Sequence, residues 1–532
     1  MSLGLITSGA YINQEMAAEF GPLPPAFLPL GNARLFTWQA KLLGKLADRV
    51  VLSLPRSFEI PFYDEKLLQS VNISVVRVPD GLSLAESAML ALAQCLDGDE
   101  QLYILHGDTL LWDLKRFSAD GLSVHEGEHA YPWAGVESRH PLRVSPIEDG
   151  EPAAVALVSG MFSFSRAADF LLCLGEGKSD FLAALNLYAM RHPAFGEVDD
   201  CGQWMDLGHL NTYYESRRAF TTERVFNSLS ITRHAVCKVS VQADKMEAEA
   251  TWFERLPPTL RNHVPAYLGR ADGNRPGYRL SYEYLCPLSD LYVFGALKTL
   301  TWRQIMEGCA EVLREMHAHT PRVQDQGWSG ALYGDKAITR FRHFAEQAGV
   351  DPWSPWTLNG LALPAPMDII AEMADRIGPA NDDDAGILHG DFCFGNILYD
   401  FRRRAIKMID PRGYVKQGRP SLYGDTRYDL GKLHHSAIGR YDVILAGYYE
   451  LERVTPYGLN FSLSAPRGHD AVEQLFRDHI CGGSAARERL AGAISVLLHL
   501  SMLPLHAEAP HRQWALLANG YRLYERYFAE AA

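Results

Sequence analysis

The sequence predicts two domains of different class, an α/β domain with a mainly parallel sheet followed by an α+β domain of antiparallel strands and long helices. Three observations support this. The 532 residues exceed the roughly 100 to 200 that one core usually organises. The early part alternates short β-branched runs with segments of helical periodicity, the pattern of βαβ units. Near residue 220 the texture changes to a hairpin pattern and then to long amphipathic stretches. A composition of 47% hydrophobic and 22% charged residues supplies apolar surface for both cores and leaves little room for disordered tracts.

In chain order, LGLITSG (3 to 9), DRVVLSLP (48 to 55), ISVVRVP (73 to 79) and QLYILHGD (101 to 108) read as strands. LFTWQAKLLGKLA (35 to 47) and LSLAESAMLALAQCL (82 to 96) carry apolar residues three and four apart and read as helices between them. In open parallel sheets ligands bind beyond the carboxyl ends of the strands, so function is expected at Ser8-Gly9 and Gly107-Asp108. After residue 220, VFNSLSITRHAVCKVSV (225 to 241) reads as two antiparallel strands turning at Thr232 to His234. A helix over 244 to 256 should stop at Pro257-Pro258, because proline lacks the N–H that a helix needs. YRLSYEYL (278 to 285) is another strand, 302 to 319 a long helix, and 387 to 410 a strand-like hairpin, with helix expected from there to the end.

The formal charge of −13 argues against a general affinity for nucleic acid, which needs a basic face. It leaves room for a locally positive pocket that takes small phosphorylated molecules. The eight cysteines show no CxxC pair and no ligand-like spacing, so neither zinc nor a disulfide scaffold is expected. No apolar run approaches the roughly 18 to 20 residues of a membrane span, and the start of the chain has no signal-peptide pattern. The cytoplasm is the expected compartment.

The segment ILHGDFCFGNILYDFRRRAIKMIDPRG (387 to 413) has the spacing that phosphoryl transfer requires. In that chemistry one carboxylate orients and deprotonates the attacking hydroxyl, while an amide oxygen and a second carboxylate hold Mg²⁺ against the ATP phosphates. Asp391 suits the first role, and Asn396 and Asp410 the second and third. A bare Asp-x4-Asn occurs by chance about once in a chain this long. The His389-Gly390 lead-in, the apolar strand after Asn396 and the Ile-Asp turn 14 residues on remove that objection.

HGDFCFGN with IDPRG resembles the catalytic loop and metal-binding Asp of the aminoglycoside phosphotransferase and choline kinase family, whose fold is that of protein kinases. The resemblance runs from about 220 to 532 and implies a small lobe (220–286) and a large helical lobe (287–532). It implies that Lys238 in AVCKVS pairs with ATP phosphates and with an acid on the next helix, Glu249 or its rival Glu247. YEYLCP sits where the family has its hinge, so backbone groups near Glu283 to Leu285 are expected to meet adenine. No GxGxxG precedes Lys238, so Phe226-Asn227-Ser228 would cover the phosphates. Asp429, in GDTRYDLGKLHHS, is expected to fix the catalytic loop, and His434-His435 to be helix surface or packing.

In the first half, HGDTLL (106 to 111) and WMDLG (204 to 208) each place a carboxylate, Asp108 and Asp206, beside an apolar strand. Two carboxylates converging on Mg²⁺ suit attack on the α-phosphate of a nucleoside triphosphate. With LITSG, FLPLGNARLFTWQ, GLSLAES and SGMFSFS in order, residues 3 to about 217 resemble the sugar-phosphate nucleotidyltransferase family, a Rossmann-like, GT-A-like α/β fold, here assigned to 1–219. The resemblance implies that Ser8 and Gly9 approach the nucleotide and that Ser83 and Glu86 lie near its base or sugar. The chain departs from the family in the loop SGAYINQEMAAEFG, which lacks the usual second glycine and Arg, and in PPAFLP, which lacks the usual Lys; Lys41, Arg34 or a residue of the second half are candidate replacements.

Together the resemblances imply a bifunctional enzyme. It would phosphorylate a sugar, polyol or amino alcohol with Mg²⁺ and ATP and couple the phosphate to a second nucleotide, CTP being a candidate, for surface-glycan precursors. The rivals are a working kinase attached to a first half that only binds a nucleotide or organises a homo-oligomer, and a kinase that modifies an antibiotic. Small molecules and nucleotides, not nucleic acid or membrane, are the expected partners.

Overall fold

The computed structural model of the chain describes residues 1–127, 131, 133–147, 155–198, 201–218, 227–273, 275–321, 332–415 and 419–529. The expected boundary at 219/220 and Phe226 lie outside them. The chain divides into two compact units, Met1–Phe220 with Phe294–Ala296, and Thr221–Val293 with Leu297–Ala532. All eight cysteines are free thiols.

The first unit is built on a sheet with nine strands among the described residues. Its parallel part has the order Ile73–Val78, Arg49–Pro55, Ser2–Thr7, Gln101–His106. These strands are hydrophobic runs because helices such as Leu84–Cys95 cover them, which leaves Leu3, Leu5, Leu102 and Ile104 without exposed surface. The chain leaves Ser2–Thr7 towards one edge and returns to its other side with Gln101–His106. The two strands therefore flank the point where the winding reverses, and such points open a crevice at the strands' carboxyl ends. The sheet is mixed rather than mainly parallel. Val155–Phe164 pairs antiparallel with Gln101–His106, and Gly121–Gly127 and Ala134–Arg139 extend it in the same sense. A separate antiparallel pair aligns Gln203–Asp206 with Thr109–Trp112, setting Asp206 opposite Thr109, next to Asp108.

The second unit begins with an antiparallel sheet in the order Asn227–Ile231, Ala235–Ser240, Gly277–Ser281, Tyr267–Arg270. Lys238 lies between Leu229 and Tyr278 in the register. The helix Ala243–Arg255 packs against this sheet and stops before Pro257-Pro258. Its buried Trp252 donates from the indole N–H to the Leu388 carbonyl at 2.9 Å. The hairpin Ile397–Asp400 and Ala405–Met408 lies beyond, its turn made by exposed arginines with Arg404 at φ +53°.

The large helical part packs Arg427–Ala437, Pro366–Ile377, Gly334–Ala348 and Pro510–Phe528 around the helix Ala485–Met502. Helix does not run unbroken to the end. Tyr449–Thr455 and Gly458–Leu463 form a hairpin that joins Trp356–Leu358 and Leu361–Leu363 in a second sheet. The stretch Ala485–His506 also corrects the reading of apolar runs, being long and apolar enough in composition to cross a membrane. It reads this way because it is the central helix of this core. From Ala491 to Ser501 every residue is buried against protein.

Candidate functional site

The peptide around Asp391 is held from beneath. The buried Asp429 carboxylate accepts from the backbone N–H groups of His389 and Gly390, both at 2.8 Å, which fixes the loop as it leaves the strand Ala385–Ile387. Gly390 sits at φ +77°, and a Cβ there would lie 2.6 Å from Arg412 Cβ, so glycine is required by both backbone and packing. Burial raises the Asp429 pKa to about 7 against the lowering effect of those two N–H donors.

On this platform Asp391 accepts from Asn396 Nδ2 at 2.8 Å and pairs with Lys432 Nζ at 2.7 Å. Lys432, one turn past Asp429 on the helix Arg427–Ala437, was not singled out from the sequence. Its spacing from Asp429 was visible, but nothing local showed that it would turn to Asp391. With the Asn396 NH₂ also bonded to the Asp391 carbonyl, the amide oxygen is the end left for another partner. Asp410, at φ +58°, offers its Oδ1 to Lys238 Nζ at 2.5 Å.

Lys238 also donates to Glu249 Oε2 at 2.6 Å. Glu249 rather than Glu247 is thus the lysine's helical partner; Glu247 pairs with Arg270 on the surface. This is no surface ion pair, since the Lys238 side chain is 6% exposed and that of Glu249 is 2% exposed. Tyr278 donates a further hydrogen bond to Glu249 at 2.8 Å. Burial raises the Glu249 carboxyl against the pull of Lys238, and the two acids hold the lysine above its usual range despite burial. The site therefore gathers Asp391, Asn396, Asp410, Lys238 and Glu249. Glu283 and Leu285 lie outside any strand, between Gly277–Ser281 and Cys286–Pro287, with the Glu283 carboxylate near Lys407 Nζ at 3.3 Å. Asn396 and Asp410 supply the hard oxygen donors that Mg²⁺ prefers, and no group of three His, Cys, Asp or Glu forms an all-protein metal cage among the described residues. His434 and His435 are fully buried, hence packing and not surface.

In the first unit Asp108 and Asp206 do converge. A Cβ on Gly208 would lie 2.5 Å from Asp108 Oδ2 and 3.3 Å from Asp206 Oδ1, so both carboxylates border one small space that glycine keeps open. Burial and the neighbouring Asp206 charge push the Asp108 pKa up to about 6. Asp206 also accepts from Thr212 Oγ1 at 2.6 Å and meets His209 Nδ1 at 3.0 Å, and Tyr131 stacks on the His209 ring at 3.9 Å. His209 and Tyr131 were not read from the sequence. Two carboxylates bordering one small space, with the proton affinity of Asp108 raised, suit a divalent cation.

The other expected nucleotide contacts have structural duties. The buried Ser8 hydroxyl accepts from Ala26 N, and Gly9 lets the chain pass Ser87, whose Oγ would lie 2.1 Å from an added Cβ. Ser83 and Glu86 form the capping box of the helix Leu84–Cys95, each satisfying the other's backbone N–H. Arg34 is not a replacement cation, because it is buried in a bidentate pair with Asp64. Lys41 lies over the Trp38 ring at 4.5 Å.

Lys238, Glu249 and Asp410 meet beside the loop carrying Asp391 and Asn396, the grouping that the phosphotransfer reading of the sequence expects. Residues 220–454, which contain all five, match the model of the phosphotransferase enzyme family. Among solved structures, the chain is similar to a nucleoside-diphosphate-sugar pyrophosphorylase from Vibrio cholerae RC9, at 12% identity over 40% of this chain and 99% of that one, with a TM-score of 0.33. It is similar to the inositol-1-phosphate CTP transferase from T. maritima, at 14% identity over 41% and 95%, TM-score 0.30. It is also similar to a thermostable mutant of an aminoglycoside phosphotransferase in ternary complex with ADP and hygromycin B, at 14% identity over 58% and 94%, TM-score 0.35. No curated protein matches the chain.

Proposed function

We propose that the second unit transfers the γ-phosphoryl group of ATP to a hydroxyl of a small compound, and that the first unit couples the resulting phosphate to a nucleotide with release of pyrophosphate. The observation that carries the kinase reading is the 2.5 Å approach of Lys238 to Asp410, side chains 172 residues apart, beside the Asp391–Asn396 pair. Asp391, paired with Lys432, accepts the proton of the attacking hydroxyl and aims its oxygen. Lys238, steadied by Glu249, neutralises ATP phosphates, and the backbone of Glu283 to Leu285 meets adenine. Asn396 and Asp410 would hold Mg²⁺, which when bound neutralises charge on the transferring group. This assigns 220–286 to a small lobe and 287–532 to a large one, with 1–219 as the nucleotidyltransferase domain. There, Asp108 and Asp206 would hold the metal for α-phosphate attack, and Ser8, Gly9, Ser83 and Glu86 border the nucleotide through backbone atoms. A cytoplasmic role in making surface-glycan precursors, with CTP as the second nucleotide, follows from this pairing of steps.

A second reading makes the first unit a binding module. It is favoured by the commitment of Arg34 to Asp64 and by a loop after Gly9 that has no Arg for a triphosphate. Incubation with Mg²⁺, ATP, each nucleoside triphosphate and a panel of hydroxylated metabolites tests both. ADP and pyrophosphate together support the bifunctional reading, ADP alone supports the second, and neither product refutes the proposal.

A further inference from the structure

Beside the Asp391 loop, three cations collect around one buried phenol. Lys336 Nζ donates to the Tyr428 hydroxyl at 2.8 Å and lies 5.2 Å from the ring centre. The Arg412 guanidinium stands 5.7 Å from the same ring and 5.2 Å from that of Tyr414. Arg340 follows Lys336 by four residues on the helix Gly334–Ala348, which puts it on the same face, and its one described hydrogen bond is a 3.4 Å contact to the Ser501 carbonyl. Arg412 is tied directly to the loop, its N–H donating to the His389 carbonyl at 2.7 Å while its side chain packs over Gly390, the residue before Asp391.

Apart from the Tyr428 hydroxyl, these charges have no acidic partner among the described residues. Among the described residues no carboxylate lies within ion-pair distance of Lys336, Arg340 or Arg412. Asp391 is taken by Lys432, and Asp425 by Arg427 at 2.8 Å. Tyr428 itself is 1% exposed, and the three cations around it are half-buried. Burial opposes ionisation of Tyr428, yet Lys336, Arg412 and Lys432 bring it down to about 7, and burial beside two guanidinium groups lowers Lys336 to about 8. Three cations that share one phenol and no carboxylate among the described residues make a site that an anion completes.

We infer that Lys336, Arg340 and Arg412 form the acceptor subsite, and that the compound phosphorylated at Asp391 carries an anionic group, a carboxylate or a phosphate ester, besides its hydroxyl. This rests on the phosphotransfer reading and narrows it. An amino alcohol or a polyamine would bring like charge to the cluster, while a hydroxy acid or a sugar phosphate fills it and presents its hydroxyl towards Asp391.

The test uses the full chain saturated with Mg²⁺ and a non-hydrolysable ATP analogue, titrated calorimetrically with glycerol, ethanolamine, glycerate and glycerol 3-phosphate. One or both anions should bind saturably, glycerate marking a carboxylate site and glycerol 3-phosphate a phosphate site, and glycerol and ethanolamine should not. Lys336→Gln with Arg340→Gln should weaken the anion at least about tenfold without changing analogue affinity, and Lys336→Gln alone covers the case in which the double variant does not fold. Tighter binding of ethanolamine than of either anion, anion binding indifferent to the substitutions, or no anion binding would overturn the inference. Failure of the analogue itself to bind would instead remove the phosphotransfer reading.

Discussion

Replacing Lys238 with Met removes the cation that two acids share. In the folded chain its ammonium lies 2.6 Å from Glu249 and 2.5 Å from Asp410, with 6% of the side chain exposed. Methionine keeps most of the volume, so the loss is electrostatic. Removing one partner of a buried ion pair costs about 3 to 5 kcal/mol, because the other charge stays behind without compensation. Glu249 carries most of that here, since Asp410 is 35% exposed and water screens it. In a unit of this size each kcal/mol moves the melting temperature by about 2 °C, so Lys238→Met should melt roughly 6 to 10 °C below the parent at neutral pH. The deficit must also depend on pH. Without the lysine the Glu249 pKa rises further above its unfolded value of 4.5, so the penalty is full above the folded pKa and fades as pH falls towards 4.5. Adding Glu249→Gln to Lys238→Met should recover part of the loss at neutral pH. Differential scanning calorimetry of both variants across pH provides the measurement. A Lys238→Met protein that melts within about 1 °C of the parent at every pH would refute the buried triad.

Asp391→Asn should lower kcat for ADP formation by about 10² to 10⁴ while leaving nucleotide affinity unchanged, and undiminished turnover in a steady-state assay would remove Asp391 from the role of base. Asp108→Asn should stop pyrophosphate release and leave ADP formation intact; a parallel fall of both would mean that the units do not act independently. Because the Asp108 carboxyl titrates near 6, Mg²⁺ binding there should release protons at or below that pH, which calorimetry in buffers of differing ionisation enthalpy detects. His106, His317 and His389 are held neutral by burial down to about 4, and His434 and His499 down to about 3, so their unfolded forms take up protons first as pH falls below 6.5. Stability should therefore decline between pH 6.5 and 4, by up to roughly 3 kcal/mol per histidine, and a denaturant midpoint that stays flat over that window would contradict it.

Groups whose partners are near in sequence were legible. Asp391 and Asn396 share one tight loop, and a single hairpin returns Asp410 to them, so their spacing carried their geometry. Lys238 and Glu249 were legible for the same reason, a strand followed at once by a helix. Ser83 and Glu86 were visible as a motif, but the reciprocal cap that they form explains their presence without a ligand. The largely apolar stretch Ala485–His506 passed unnoticed as a long apolar helix because charged residues interrupt its start, and core and membrane select the same side chains in the rest.

By itself, the order of short patterns determined the two fold classes, the loop that carries the phosphotransfer residues and the pair of strand-end acids, because strand and helix periods and tight turns are written within a few residues of chain. The tertiary structure alone decided what the charged groups do. It sent Arg34 to Asp64, turned Lys432 to Asp391, and brought Lys336, Arg340 and Arg412 around Tyr428. A charge's effect depends on distance and on the water excluded around it, and neither is set until separate segments fold onto one another.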